Sequence, residues 1–275
     1  MSDKPQRHEI TMKRVLCDLP GSDATVVRRD VRYDSNDTGE STLDIYYPAG
    51  ADREAPLPAI VFVAAFRDVG VPLTLGCRFK EMEMVVSWAR LIAAAGVAAV
   101  AYTTREPAAD VRRAIAFVQR DARALGIRSD RIGIWAASGS GPVALSALMG
   151  DADADIRCAV LLYPYLLDLG GSHAVAEAAK QYGFANACAG RSMDDLQRDV
   201  PLLIVRAGRD HFAGLNSALD EFVAGALARN MPLTVVNDPT APHAFDLFRD
   251  GEETRDRIRQ ILDFVRVHLA GSSSA

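Results

Sequence analysis

The segment IGIWAASGSGPVALSAL, residues 132–148, passes from an apolar run typical of a buried strand into a helical pattern through a turn of small residues. A serine on such a sharp strand-to-helix turn needs small residues two places before and two places after it, because the two backbones nearly touch there. Ala136 and Ser140 fill those places around Ser138. The segment therefore predicts that Ser138 is an exposed nucleophile at the end of a strand.

Ser140 is the rival nucleophile in the same turn. If the turn is centred on Ser140, Pro142 takes one of the two close-packing places, whereas proline fits better in the first turn of the following helix. The segment can also be interpreted as a glycine-rich turn that only binds an anion at a helix N-terminus. Its position between a buried strand and a helix favours Ser138 as a nucleophile.

Strand and helix patterns alternate on both sides of this turn. A hairpin is expected from the strands 24–33 and 42–48. Mostly apolar segments typical of buried strands follow at 59–65, 97–102, 131–136 and 158–164, and the last two strands are expected at 201–207 and 232–236. Helical patterns fall at 84–96, 110–125, 142–150, 217–230 and 252–269. The alternation predicts an α/β fold with a mainly parallel sheet and helices on both faces. Functional residues are then expected just beyond the carboxyl ends of the strands.

These elements predict a single domain over residues 21–270. Residues 1–20 are expected to be a partly disordered leader, and residues 271–275 a flexible tail. The connection 165–199 is much longer than the usual link between a strand and the next one. It predicts either an ordinary crossover helix with irregular flanks or a small cap over the functional site.

The overall composition excludes several classes of protein. The 275 residues carry a net charge of −5, and the 31 Lys and Arg residues form no long basic run, which argues against a nucleic-acid partner. The N-terminus lacks the apolar core of a signal peptide, and the longest apolar stretch, Leu91 to Val100, is too short to span a membrane. We therefore expect a cytoplasmic protein without a membrane partner, as a monomer or homodimer. The four cysteines have no metal-binding spacing, so free thiols, no metal and no cofactor are expected.

A nucleophilic serine needs a histidine to take its proton and a carboxylate to orient that histidine. In the fold that carries this kind of turn, the chain order is serine, then acid, then histidine. Asp210 follows the strand 201–207, and His243 lies in the loop after the strand 232–236. The sequence therefore predicts the catalytic triad Ser138, Asp210 and His243.

Competing residues exist for two of these roles. Asp238 and Asp246 are alternative carboxylates close to His243 in sequence, but His243 already occupies the loop after the strand that precedes them. The other histidines lie in the leader, the long connection, the terminal helix and directly beside Asp210; they are His8, His173, His268 and His211. None of them follows a strand in a position to serve Asp210.

Backbone N–H groups should stabilise the negative charge that develops on a carbonyl oxygen during acyl transfer. The predicted oxyanion-hole donors are Gly139, directly after the nucleophile, and Phe66, in the loop after the strand 59–65, with Arg67 as the alternative to Phe66. Tyr102 and Arg105 end the strand 97–102 and could reach a substrate pocket together with Arg67. More often, an arginine in such a position pairs with a nearby acid such as Glu106 or Asp110, and this structural role is favoured because isolated charges usually pair or remain solvated.

The chain resembles the α/β-hydrolase superfamily, and especially its carboxylesterase and dienelactone-hydrolase-like branches. The resemblance covers roughly residues 24–268 and is carried by the motifs LDIYYP, SDRIGIWAASGSG, AGRD and PHAF. It implies an eight-stranded, mostly parallel sheet and a metal-free acyl-enzyme mechanism that uses Ser138, Asp210 and His243. The His-Gly-Gly-Gly motif of many esterases is absent, and dienelactone hydrolases use cysteine where this chain has serine.

The resemblance and the residues together predict a serine esterase that acts on a small-molecule carboxylic ester. Two alternatives stay open at this point. One is a peptidase of the oligopeptidase type, which shares the nucleophile turn but usually carries a large additional domain. The other is a binding protein that keeps the hydrolase fold without turnover.

Overall fold

The computed structural model describes residues 7–34, 41–52, 55–68, 76–149 and 155–269. The tail 271–275, the first six residues of the leader and most of the predicted hairpin turn lie outside these ranges. The described residues form one eight-stranded sheet with helices packed against it. The predicted α/β fold class is thus confirmed.

Every predicted strand is present. The strands are β1 Val26–Arg32, β2 Thr42–Tyr47, β3 Leu57–Phe62, β4 Ala98–Tyr102, β5 Ile127–Ala137, β6 Ile156–Leu162, β7 Leu202–Arg209 and β8 Leu233–Pro242. Their order in the sheet is β1-β2-β4-β3-β5-β6-β7-β8. The hairpin β1-β2 and the pair β2-β4 are antiparallel, and all the other pairs are parallel. The carboxyl ends of β5, β7 and β8 therefore lie at one edge of the sheet.

The helices are α1 Glu83–Ala94, α2 Pro107–Arg120, α3 Ala122–Leu125, α4 Gly141–Ala147, α5 Ala174–Tyr182, α6 Leu215–Ala228, α7 Phe245–Phe248 and α8 Glu252–Leu269. They follow the predicted helical patterns, of which 110–125 is divided into two helices, and the helices α5 and α7 lie outside those patterns. In the described ranges, no helix combines the length and the apolar character needed to cross a membrane.

The central strands are buried on both faces. Consecutive residues of a strand point to opposite faces of the sheet, and Ala59 through Ala65 are all at most 1% exposed. β4 is likewise fully buried along its length. Helices must therefore cover both faces of the centre, which explains why these strands appear in the sequence as unbroken apolar runs.

The predicted leader is partly packed onto the domain. The N–H of Val15 donates to the hydroxyl of Ser87 at 3.0 Å, and the N–H of Leu16 donates to the carbonyl oxygen of Asp246 at 2.8 Å. Thr11, in a short 3-10 helix, is completely buried. Residues 7–20 thus contact α1 and α7 near the strand ends that carry the predicted site.

Candidate active site

Ser138 lies between the end of β5 and α4 with a positive φ of 51°. Residues other than glycine rarely adopt this left-handed conformation, and it persists only where the surrounding structure enforces it. The N–H of Tyr165 donates to the Ser138 carbonyl oxygen at 3.1 Å and helps to fix the turn. The strained serine matches the sharp strand-to-helix turn predicted from the sequence.

The crowding around this turn explains its small residues. A Cβ atom added to Gly141 would lie 1.9 Å from the carbonyl oxygen of Tyr165, and one added to Gly139 would lie 2.7 Å from the Phe184 ring. Ala136 is completely buried. A side chain at Gly139 or Gly141 would therefore collide with residues of the connection that follows β6.

The structure brings together Ser138, Asp210 and His243, which are far apart in the sequence. The distance between Nε2 of His243 and Oγ of Ser138 is 2.9 Å, and that between Nδ1 of His243 and Oδ2 of Asp210 is 2.5 Å. An ionised carboxylate can only accept hydrogen bonds, so Nδ1–H donates to Asp210 and Nε2 is left to accept the serine proton. This chain of hydrogen bonds is the arrangement that activates a serine.

The surroundings hold the side chains of Asp210 and His243 in place. The Asp210 side chain is fully buried, and its second oxygen accepts a 3.0 Å hydrogen bond from the N–H of Phe212. The imidazole of His243 lies between aromatic rings, with centroid distances of 4.7 Å to Tyr163 and 4.5 Å to Phe212. Only 11% of the His243 side chain is exposed, so its ring has little freedom to turn away from Ser138.

The rival carboxylates have other partners. Asp246 is completely buried and accepts hydrogen bonds from Trp88 and Tyr163, and burial raises the pKa of its carboxyl. Asp238 pairs with the Arg249 guanidinium at 2.7 Å, and the hydrogen bonds from Arg249 hold the pKa of the Asp238 carboxyl well below its usual range. Neither carboxylate shares a hydrogen bond with His243, whose partner is Asp210.

Gly139 and Phe66, the predicted oxyanion-hole donors, both line the same cleft as Ser138. Gly139 lies in the first helical turn after Ser138, where the positive end of the helix dipole favours an anion. The loop that carries Phe66 is held by a 3.0 Å hydrogen bond from the N–H of Ala185 to the carbonyl oxygen of Ala65. Their role as donors stays a prediction.

The three predicted pocket residues lie elsewhere. The Tyr102 side chain is completely buried, and its hydroxyl accepts a 3.4 Å hydrogen bond from the N–H of Ala64. Arg105 is half-buried next to Asp110, and Arg67 is exposed. None of these three is among the described residues that line the cleft. The structure therefore does not bring these three possible pocket residues to the cleft.

The cleft above Ser138 has a volume of about 520 Å³ and a mostly apolar lining. One part of its wall consists of four aromatic side chains that the sequence reasoning missed: Tyr165, Tyr182, Phe184 and Phe212. Three of these lie in the connection 165–199, and the fourth follows Asp210. The connection also contains the helix α5, and both predictions for it, a crossover helix and a small cap over the site, stay predictions.

Metal chemistry was not expected from the sequence. Among the residues that the structure describes, no group of three or more His, Cys, Asp or Glu side chains could hold a metal ion. The four cysteines are all unpaired, as predicted, at positions 17, 77, 158 and 188.

Neither a family model nor a curated protein matches the sequence. Solved structures do match. The fold is similar to that of a bacterial heroin esterase, with a TM-score of 0.70 and 16% identity over 93% of this chain and 88% of the other. It is similar to the esterase LipW from Mycobacterium marinum, with a TM-score of 0.68 and 15% identity over 90% of this chain and 83% of the other. It is also similar to the esterase Est2 from Thermogutta terrifontis, with a TM-score of 0.65 and 18% identity over 93% of this chain and 97% of the other.

The sheet, the strained serine after β5 and these similarities together define the class of protein. The chain has the α/β-hydrolase fold, as the sequence motifs predicted. The solved structures that it resembles include several esterases.

Proposed function

We propose that this chain is a serine hydrolase that cleaves carboxylic esters through a covalent acyl-enzyme. The observation that carries the proposal is the continuous chain of hydrogen bonds from Asp210 through His243 to Ser138. Its position at the wall of an apolar cleft supports a small, uncharged substrate. The esterases of the same fold add support for this reaction over others.

In the first half of the reaction, Oγ of Ser138 attacks the ester carbonyl carbon while Nε2 of His243 takes the serine proton. The negative charge that develops on the carbonyl oxygen is stabilised by the N–H groups of Gly139 and Phe66. The tetrahedral intermediate then breaks the bond to the alcohol, which leaves with the proton from His243. Asp210 keeps the imidazole oriented and stabilises its positive charge.

In the second half, a water molecule attacks the acyl-enzyme, and His243 takes one of its protons. The bond between the acyl group and Ser138 breaks, the carboxylic acid leaves, and the proton returns to Oγ of Ser138. Both halves use the same three side chains and need no metal ion or cofactor.

The proposal is tested with p-nitrophenyl acetate and p-nitrophenyl butyrate. The wild-type protein is expected to hydrolyse both esters, and Ser138→Ala is expected to lose this activity while its circular dichroism spectrum stays unchanged. Ser140→Ala is the matched control, because it removes the rival hydroxyl from the same turn, and it should retain turnover. Activity that survives in Ser138→Ala would contradict the proposal.

A peptide p-nitroanilide measured beside the esters distinguishes the peptidase alternative. We expect turnover of the ester to exceed that of the anilide by several orders of magnitude. Comparable rates would favour a peptidase.

A further inference from the structure

The cleft has a second feature that bears on its substrate, and this inference rests on the proposed function. Four side chains, Tyr165, Tyr182, Phe184 and Phe212, form a connected set that we call the aromatic wall. Tyr165 stacks on Phe184 with a centroid distance of 5.1 Å and an interplanar angle of 29°. Tyr182 meets Phe212 edge to face at 5.2 Å, and Tyr165 lies 6.5 Å from Phe212.

The aromatic wall reaches both sides of the reacting atoms. The ring of Phe184 packs directly on the backbone of Gly139, the predicted oxyanion donor. At the other end, Phe212 meets the imidazole of His243 edge to face at 4.5 Å. A group attached to the ester carbonyl at Ser138 would therefore lie within reach of these rings, whether it belongs to the acyl or to the alcohol half.

The wall is held in place before any substrate arrives. The N–H of Tyr165 donates to the Ser138 carbonyl oxygen, and the N–H of Ala185, next to Phe184, donates to the carbonyl oxygen of Ala65. The carboxylate of Asp168 accepts hydrogen bonds from two N–H groups at the start of α5, the helix that ends in Tyr182. A ligand that packs on rings already in position loses less affinity to ordering them.

The nearly uncharged lining of the cleft limits the kind of substrate that it can bind. Within the described residues, the only titratable nitrogen groups that line it are the imidazoles of His211 and His243, and no Asp, Glu, Lys or Arg side chain does. A charged substrate group would lose its hydration there without gaining an opposite charge. An uncharged group is therefore favoured.

We propose that the site is specific for neutral esters that carry an aryl group, with the aryl ring packed against the aromatic wall. Aromatic rings attract one another in stacked and edge-to-face geometries beyond the effect of buried area. A saturated ring of the same size buries at least as much apolar surface but lacks this attraction. The wall therefore distinguishes a phenyl from a cyclohexyl group.

The test uses two pairs of esters that keep the reacting groups the same. The first pair is p-nitrophenyl 3-phenylpropanoate and 3-cyclohexylpropanoate, which place the ring in the acyl half. The second pair is 2-phenylethyl acetate and 2-cyclohexylethyl acetate, which place it in the alcohol half. In at least one pair, kcat/KM for the phenyl ester is expected to exceed that for the cyclohexyl ester roughly twofold to tenfold.

Variants then connect this ratio to the wall. Phe212→Leu and Tyr182→Leu are expected to lower the phenyl-to-cyclohexyl ratio towards one. Phe212 also contacts His243, so its replacement should slow hydrolysis of both esters of a pair. Because this effect cancels in the ratio, the ratio reports only the recognition of the ring. Tyr182 is 44% exposed, and its ring pairs with that of Phe212. Because it is the more exposed side chain, its replacement is expected to preserve the fold if Phe212→Leu does not.

Phe117→Leu is the matched control. Phe117, on α2, is not among the described residues that line the cleft, and its ring contacts the Arg120 guanidinium at 5.3 Å. Its replacement should leave the ratio unchanged. A wild-type ratio of one or less in both pairs, or a ratio that the wall variants do not alter, would overturn the aryl specificity. Absence of hydrolysis of every ester would instead overturn the proposed function, and the aryl specificity with it.

Discussion

The hydroxyl of Tyr163 donates a 2.7 Å hydrogen bond to Oδ1 of Asp246, and both side chains are shut off from solvent. The other carboxylate oxygen accepts a 2.7 Å hydrogen bond from Nε1 of Trp88. The ring of Tyr163 packs on His243 with a centroid distance of 4.7 Å. The buried Asp246 carboxylate thus holds Tyr163 in place, and the Tyr163 ring in turn packs against one side of the His243 imidazole.

Replacing Tyr163 by phenylalanine is expected to destabilise the protein. The ring would stay against His243, but Oδ1 of Asp246 would lose its donor in a buried environment. The free energy of unfolding should fall by about 1–3 kcal/mol, as measured by urea denaturation. Tyr182→Phe removes a hydroxyl from a side chain that is 44% exposed, and it should change stability by less than about 0.5 kcal/mol. Equal effects of the two changes would contradict this account of the buried carboxylate.

Gly141→Ala is expected to disrupt the nucleophile turn, since the new Cβ atom would lie 1.9 Å from the Tyr165 carbonyl oxygen. Because that atom belongs to the backbone, no side-chain rotation relieves the clash. We expect a loss of several kcal/mol in stability, or failure to fold, and loss of ester hydrolysis.

Gly225→Ala is the control for this change. Gly225 lies inside α6, where an added Cβ would have its nearest neighbour, Cγ of Met193, at 3.5 Å. Alanine there should stabilise the helix by up to about 1 kcal/mol. Thermal unfolding followed by circular dichroism distinguishes the two variants, and a Gly141→Ala protein as stable as Gly225→Ala would show that the turn is not crowded.

The stability of the protein is expected to depend on the titration of Asp68. Burial raises the pKa of its carboxyl from 3.8 to about 6, although the N–H groups of Phe79 and Thr104 donate to it. A pKa that is higher in the folded than in the unfolded state adds stability at low pH, and this contribution is lost as the pH rises through the folded value. Relative to wild type, Asp68→Asn should therefore gain stability between about pH 4 and about pH 7.

The size of this effect follows from the pKa shift. The difference in unfolding free energy between wild type and Asp68→Asn should change by up to about 3 kcal/mol across that range. Urea denaturation at several pH values measures it, and groups common to both proteins cancel in the comparison. A difference that does not vary with pH would mean that the carboxyl titrates at its ordinary value.

Asp210→Asn is expected to lower kcat for ester hydrolysis by about three to four orders of magnitude, because the amide no longer holds the imidazole in the required tautomer. Asp238→Asn is the matched change at the rival carboxylate. It weakens the pairing with Arg249 and Arg257 and should reduce stability while the folded protein keeps its kcat. A larger loss of kcat in Asp238→Asn than in Asp210→Asn would mean that Asp238, and not Asp210, orients His243.

The sheet could be predicted from the sequence because strands that are buried on both faces appear as unbroken apolar segments. Runs such as 59–65 and 97–102 are apolar at every position, since both faces of the sheet are covered. The chain order of serine, acid and histidine then placed Ser138, Asp210 and His243 at strand ends. These residues belong to local patterns, and local patterns can be recognised without knowledge of the three-dimensional packing.

The pocket residues were harder to predict because they depend on the order of the strands. Tyr102 ends β4 and Arg105 follows it, and β3 separates β4 from β5 and Ser138. The sequence shows that a strand ends there but not where that strand lies in the sheet. The hydroxyl of Tyr102 is consequently used within the core, at the N–H of Ala64, and not in the cleft.

The aromatic wall was missed for a related reason. Tyr182 and Phe184 belong to an irregular connection whose path is fixed by distant contacts, such as the hydrogen bond from Ala185 to Ala65. A hydrogen bond between residues so far apart in the sequence leaves no pattern in the hydrophobic periodicity. The number of aromatic residues was no signal either, because the connection 165–199 is about as rich in them as the whole chain.

The most direct test of the account is the site at which a fluorophosphonate probe reacts. Such a probe forms a covalent bond only with a serine that an adjacent base activates. Wild-type protein is incubated with the probe, digested, and mapped by peptide mass spectrometry. We predict a single adduct on Ser138 that disappears in His243→Ala, where the base is removed. An adduct on Ser140, or an intact protein that takes up no probe, would contradict the assignment of Ser138 as the nucleophile.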